Sequence, residues 1–101
     1  MRIAVADIGR AFGRQTRAYA EYRIFSTLAR FSDVVREANV ELLPLPRERH
    51  AARCRVTLIL EGDHRLYVSG RGRHAYDAIN RTARRVGDVV TRRTGVTSGM
   101  R

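Results

Sequence analysis

Arg53-Cys54-Arg55-Val56-Thr57-Leu58-Ile59-Leu60-Glu61-Gly62-Asp63-His64-Arg65-Leu66-Tyr67-Val68-Ser69-Gly70-Arg71 is the stretch that decides the fold. Cys54, Val56, Leu58 and Leu60 recur at every second position, the period of a strand with one buried face. Leu66, Val68 and Gly70 repeat the pattern beyond Gly62-Asp63. The length of the link settles whether the two apolar rows share a side. A two-residue Gly62-Asp63 turn would set Leu60 against Arg65 and put the rows on opposite faces. A three-residue loop, Gly62-Asp63-His64, sets Leu60 against Leu66 and Leu58 against Val68. One apolar face has to meet the rest of the core, so the odd-length hairpin is expected.

Upstream of the hairpin, Ile3 and Val5 mark a first strand over roughly 2–8, with Gly9 and Gly13 punctuating the chain after it. A helix over about 14–31 is expected to turn Ala18, Tyr22, Phe25, Leu28 and Ala29 inward and Arg23, Thr27 and Arg30 outward. Ala38, Val40 and Leu42 alternate in a second strand over roughly 36–43, which Pro44 and Pro46 stop before the solvated Arg47-Glu48-Arg49-His50. The hairpin strands take about 53–61 and 65–71. Downstream, Ala75, Ile79, Ala83, Val86 and Val90 form the apolar stripe of a last helix from about 73 to 93, before Gly95. The order is β-α-β-β-β-α. An α+β fold is expected, a four-stranded sheet with two helices packed on one face, in a single domain over 1–101 with 94–101 as a disordered tail.

The 101 residues carry 20 basic groups against 10 acidic ones, a net charge of +10. Every basic residue is Arg. The excess is uneven: residues 51–101 hold 11 Arg and 4 acids, residues 1–50 hold 9 Arg and 6 acids. Such a surface attracts polyanions, nucleic acid first. Guanidinium groups suit bidentate phosphate contacts, although codon usage in a GC-rich genome also favours Arg over Lys. Cys54 is the single cysteine, so no internal disulfide forms, and its strand neighbours make it a buried, inert thiol. His50, His64 and His74 fall in loops or caps away from Cys54, so no metal site is expected. The acids are scattered, no serine sits in an elbow motif and no nucleotide fingerprint is present, so neither catalysis nor a cofactor or small-molecule substrate is expected. No apolar run approaches the ~20 residues of a membrane span. Met1-Arg2-Ile3-Ala4-Val5 lacks the features of a signal peptide, and a cytoplasmic protein is expected.

Leu66-Tyr67-Val68-Ser69-Gly70-Arg71-Gly72-Arg73-His74-Ala75-Tyr76-Asp77-Ala78-Ile79 resembles the ribosome hibernation-promoting and ribosome-associated inhibitor family, also called the sigma-54 modulation protein family. There a strand and a charged loop lead into a Tyr-containing opening of the last helix. Leu28-Ala29-Arg30-Phe31-Ser32-Asp33 followed by Ala38-Asn39-Val40-Glu41-Leu42 is similar to that family's helix end and second strand. The likeness covers roughly 20–93, and His74 departs from it by standing where the family usually has Asp. The resemblance implies a non-enzymatic translation inhibitor whose partners are the small ribosomal subunit and its rRNA. It would bind in the channel of mRNA and tRNA anticodons, through basic residues of both helices. Ending at Arg101, the chain looks like a short form that does not pair two ribosomes by itself.

Arg81, Arg85 and Arg92, at spacings of four and seven with Arg84 at their edge, make a ridge able to follow a phosphate backbone. A solvated face is the plainer reading, with Asp88 pairing to Arg84 and Arg92 across one turn. Arg23 and Arg30 on the first helix would widen the ridge into a patch. Gly70-Arg71-Gly72-Arg73 reads equally as a phosphate cradle, with Arg71 and Arg73 as its charges, or as a plain strand-to-helix turn. Tyr76 is expected in the core, and Tyr67 on the sheet side opposite Leu66. A general double-stranded RNA binder and a basic protein-interaction regulator are the rival functions. Oligomeric state stays open, since an exposed sheet edge would also support a homodimer.

Overall fold

The computed structural model describes residues 1–95. Strands β1 (Arg2–Asp7), β2 (Val35–Pro44), β3 (Ala52–Leu60) and β4 (Arg65–Gly72) form one sheet in that order, and helices α1 (Arg14–Leu28) and α2 (Ala75–Thr94) complete the β-α-β-β-β-α chain. β1 lies parallel to β2, as a crossover through α1 requires, and the other pairings are antiparallel. Ala38, Val40 and Leu42 of β2 and Cys54, Val56, Leu58 and Leu60 of β3 line the inner face. Ile24, Leu28 and Phe31 meet them from α1 and its closing 3₁₀ turn, and Ile79, Ala83, Val86 and Val90 from α2. The α2 stripe is buried as the 3.6-residue period requires.

The hairpin has the expected parity and a different register. Its loop is Glu61-Gly62-Asp63, and Leu58 faces Leu66 while Val56 faces Val68. The partner of each β4 residue is thus shifted by two residues along β3 from the expected pairing, and an even shift preserves every side chain's face. The backbone explains the choice: Gly62 and Asp63 both take positive φ, 78° and 62°, and Leu60 N–H closes on the His64 carbonyl at 2.7 Å.

The first helix is rotated from the expected phase. Thr16, Ala20, Ile24 and Leu28, one straight row at four-residue steps, are buried, whereas Ala18, Tyr22, Phe25 and Ala29 face out. Tyr22 is 65% and Phe25 51% exposed, and they share a surface hollow with Met1 and Ile3. The row chosen by the fold is the one that lets small Ala20 approach the sheet while the neighbouring row, Tyr19, Arg23 and Thr27, meets α2. Asp7 helps fix that rotation. Its carboxylate accepts hydrogen bonds from the backbone N–H groups of Ala11, Phe12 and Gly13 at 2.8–3.2 Å, clasping the loop that delivers α1.

The last helix begins at Ala75 rather than Arg73 and runs through Thr94, so the expected tail does not start at 94. Gly95, at φ 74°, caps it with its N–H on the Thr91 carbonyl. The rest of that tail, 96–101, lies outside the described residues. Among the described residues no helix is long and apolar enough to cross a membrane.

Candidate nucleic-acid interface

Where α2 starts and how closely it lies on β4 follow from four residues. His74 is its N-cap, Nδ1 accepting the Asp77 N–H at 3.2 Å, and Asp77 Oδ2 accepts the Arg73 N–H in return at 3.0 Å. This resembles a capping box with histidine in place of Ser or Thr, except that the N3 carboxylate of Asp77 reaches the N–H of Arg73, one residue before the N-cap. The Arg73 amide, followed by the Arg81 guanidinium, holds the Asp77 carboxyl below its ordinary value of 3.8. Gly70 and Gly72 leave the inner face of β4 bare at the contact with α2, where a Cβ on either would strike Thr82 or the Asp77–Ala78 backbone.

These contacts account for Gly70-Arg71-Gly72-Arg73 as a strand-to-helix turn: the glycines are required by helix packing and the Arg73 amide is already committed to Asp77. Its Arg71 is exposed and pairs with Glu48 at 3.0 Å, the neighbouring Arg81 of α2 pairs with Asp77 at 3.3 Å, and no ion pair engages Arg73 among the described residues.

Along the helices, contacts ascend together: Tyr19 packs on Tyr76, Arg23 bonds Asn80, and Thr27 sits against Gly87. α1 and α2 therefore run parallel. Asn80 Oδ1 accepts from both Tyr19 Oη (2.7 Å) and Arg23 Nε (2.8 Å), which fixes the Arg23 guanidinium between the helices. Tyr76 is not in the core. Its ring lies 4.8 Å from that of Tyr19 at 58°, and the side chain is 40% exposed at the mouth of the cleft.

Beyond Asn80 the cleft opens into a groove of about 360 Å³ lined by Arg23, Ser26, Thr27, Arg30, Arg84 and Asp88, among others. Gly87 lets the helices come together there, a Cβ at that position being 3.3 Å from Thr27 Cγ2. Arg30 is steadied by its own neighbour, its guanidinium carbon 4.8 Å above the Phe31 ring. No ion pair engages Arg23, Arg30 or Arg84 among the described residues, and Asp88 does not come within 4.0 Å of Arg84 or Arg92. Three arginines thus face a single acid in this groove, Asp88, which forms an ion pair with none of them.

The expected ridge is thus divided in three. Arg84 joins Arg23 and Arg30 in the groove between the helices. Arg85 and Arg92 lie on the other flank of α2, beside the β4 edge, where Arg85 Nη1 donates to the Ser69 carbonyl at 2.7 Å. Arg81 goes instead with Arg71 and Arg73 around Glu48 and Asp77. Sequence reasoning missed Tyr19, Asn80 and Ser26. The signal for Tyr19 and Asn80 was present as two rows at four-residue steps, Tyr19-Arg23-Thr27 and Tyr76-Asn80-Arg84, which face each other across the cleft, whereas Ser26 lies in neither row.

Cys54 lies under this surface, fully buried, and burial pushes its thiol up to about 11 against a smaller opposing effect of the hydrogen bond with Thr82. It is a packing residue and not a nucleophile.

A four-stranded sheet carrying two parallel helices on one face, in this chain order, also occurs among solved structures. A ribosomal subunit interface protein from Coxiella burnetii superposes with a TM-score of 0.80 over 95% of this chain and 100% of its own, at 8% identity. The N-terminal domain of Protein Y from Thermus thermophilus gives 0.74 over 91% of this chain and 98% of its own, at 24% identity. At these identities the likeness establishes the shared fold. No protein-family model and no curated protein matches the sequence.

Proposed function

We propose that the protein binds the ribosome and holds it inactive by occupancy. The arginines of α1 and α2 grip rRNA phosphates in the small-subunit channel where mRNA and tRNA anticodons sit, and filling that channel blocks translation. The observation that carries this reading is the convergence of Arg23, Arg30 and Arg84 on one open groove between two parallel helices, without an ion pair to spend their charge. Guanidinium groups gathered along one groove suit the regularly spaced phosphates of A-form RNA, which is read mainly by shape and backbone. The fold shared with a ribosomal subunit interface protein supports the choice of the ribosome as the RNA. A mechanism of occupancy needs no catalytic group and no cofactor.

Co-sedimentation with purified ribosomes at low and high salt, with translation measured in the same mixtures, tests the proposal. Salt-sensitive co-sedimentation with suppressed translation is expected. Equal retention on naked duplex RNA and on ribosomes would make the protein a general duplex binder instead. Binding to neither would end the proposal.

A further inference from the structure

Tyr67 stands on the outer face of β4 and is 74% exposed, the most open of the large apolar side chains among the described residues. β4 is the last strand of the sheet, so the ring has a strand neighbour on one side only, Thr57. Strand propensity accounts for a tyrosine in β4, but a small polar residue would serve an exposed edge as well. The ring adjoins two open hollows. One, of about 290 Å³, lies over the outer sheet face, where Arg55 is already bound to Glu41 at 2.8 Å. The other, of about 420 Å³, passes round the β4 edge to Arg85, Asp88 and Arg92 of α2, two guanidinium groups against one carboxylate. The bond from Arg85 to the Ser69 carbonyl stations that guanidinium beside the ring and leaves the exposed remainder of the group toward solvent.

An exposed aromatic face with one guanidinium group held at its margin and a second in the same hollow is the arrangement that takes an unpaired base and its neighbouring phosphates. We infer that Tyr67, Arg85 and Arg92 form a site for one unpaired RNA nucleotide, its base stacked on the Tyr67 ring and its phosphate held by the arginines. The RNA-contacting surface then wraps from the helices round the β4 edge instead of ending at the helix layer. The inference rests on the reading of the protein as RNA-binding, and it adds a contact to single-stranded RNA that the inter-helix groove does not make.

The chain has no tryptophan, so Tyr67→Trp supplies a single fluorescent reporter at the site. A dodecamer of oligouridylate should quench it. In anisotropy titrations with the same labelled dodecamer, Tyr67→Ala should bind about tenfold more weakly and Tyr67→Phe as wild type, stacking needing the ring and not the hydroxyl. Arg85→Gln should weaken the same titration, while affinity for an RNA duplex of equal length stays unchanged in Tyr67→Ala. Unaltered dodecamer affinity in Tyr67→Ala, or an unquenched Tyr67→Trp at saturating dodecamer, overturns the site. If ribosome co-sedimentation persists in that event, the site alone has failed and the reading of the helices stands. Loss of dodecamer and ribosome binding in the wild-type protein would sink both.

Discussion

Gly70 and Thr82 touch so closely that a Cβ added to the glycine would lie 2.7 Å from the threonine hydroxyl. Thr82 cannot turn aside, because its Oγ1 donates to the Ala78 carbonyl (2.8 Å) and lies 3.3 Å from that of Cys54 in a fully buried position. The absence of a side chain at 70 is therefore what seats α2 on β4 and aims the helix's arginines. Gly70→Ala should cost about 1–3 kcal/mol by overpacking. Gly72→Ala should cost more, since its Cβ would meet the backbone of α2 at Asp77 and Ala78. Urea unfolding midpoints check both. A Gly70→Ala protein as stable as wild type would show that the helix moves away freely.

The rotation of α1 gives a second test. Ile24 is fully buried, while its neighbour Phe25 is half exposed. Ile24→Ala should lose about 2–5 kcal/mol, the usual cost of emptying a core position. Phe25→Ala should lose less than about 1 kcal/mol despite removing the larger side chain, because little of that side chain leaves water on folding. Equal losses would mean that the aromatic row packs inward after all.

This contrast also marks what the sequence could convey. The strands and the last helix were legible because each has one apolar row and a polar remainder, so period alone fixes the inward face. In α1 the apolar residues run all round the helix. Choosing by bulk favoured Tyr22 and Phe25, whereas the fold favours the row whose small Ala20 permits close approach. The hairpin's parity could be deduced from the need for one apolar face. Its register could not, because pairing Leu58 with Leu66 or with Val68 keeps every side chain on the same side. At the candidate site the arginines were identifiable one by one, but their division between groove and β4 edge was not. That division depends on the packing distance between the helices, set by Gly87, and on partners far away in sequence, Asn80 for Arg23 and Ser69 for Arg85.

The reciprocal cap of α2 predicts a pH dependence. The Arg73 amide and the Arg81 charge hold the Asp77 carboxyl below its ordinary 3.8 in the folded protein. A depressed folded value means that ionised Asp77 stabilises the fold above the ordinary carboxylate value, and that this contribution fades as pH falls through the folded value. Asp77→Asn should therefore be less stable than wild type at pH 7, and the two should converge as the solution is acidified past the folded value. On the other half of the cap, His74→Ala should lose about 1 kcal/mol and His74→Ser should retain stability, serine being a stronger N-cap. Unfolding midpoints at neutral and acid pH measure both effects. A pH-independent gap between wild type and Asp77→Asn would remove the carboxylate's charge from the account.

The division of the arginines makes the electrostatic mechanism testable residue by residue. If phosphate contacts supply the affinity, log K for ribosomes should fall linearly with log salt, at roughly −0.7 to −0.9 per phosphate, giving a slope of about −3 to −5 for four to six contacts. Arg30 and Arg84 face the groove without an ion pair, so Arg30→Gln and Arg84→Gln should each flatten the slope by about 1. Arg81 shares its charge with Asp77 at 3.3 Å. A phosphate would have to compete with that carboxylate, so Arg81→Gln should change the slope by much less. All three side chains are exposed, and unfolding should move by no more than about 0.5 kcal/mol in the groove variants. That separates a lost contact from a lost fold. Should Arg81→Gln flatten the slope while Arg30→Gln and Arg84→Gln leave it steep, the RNA lies against the turn before α2 and not in the groove. A slope near zero in the wild-type protein would mean that charge does not hold it to the ribosome at all.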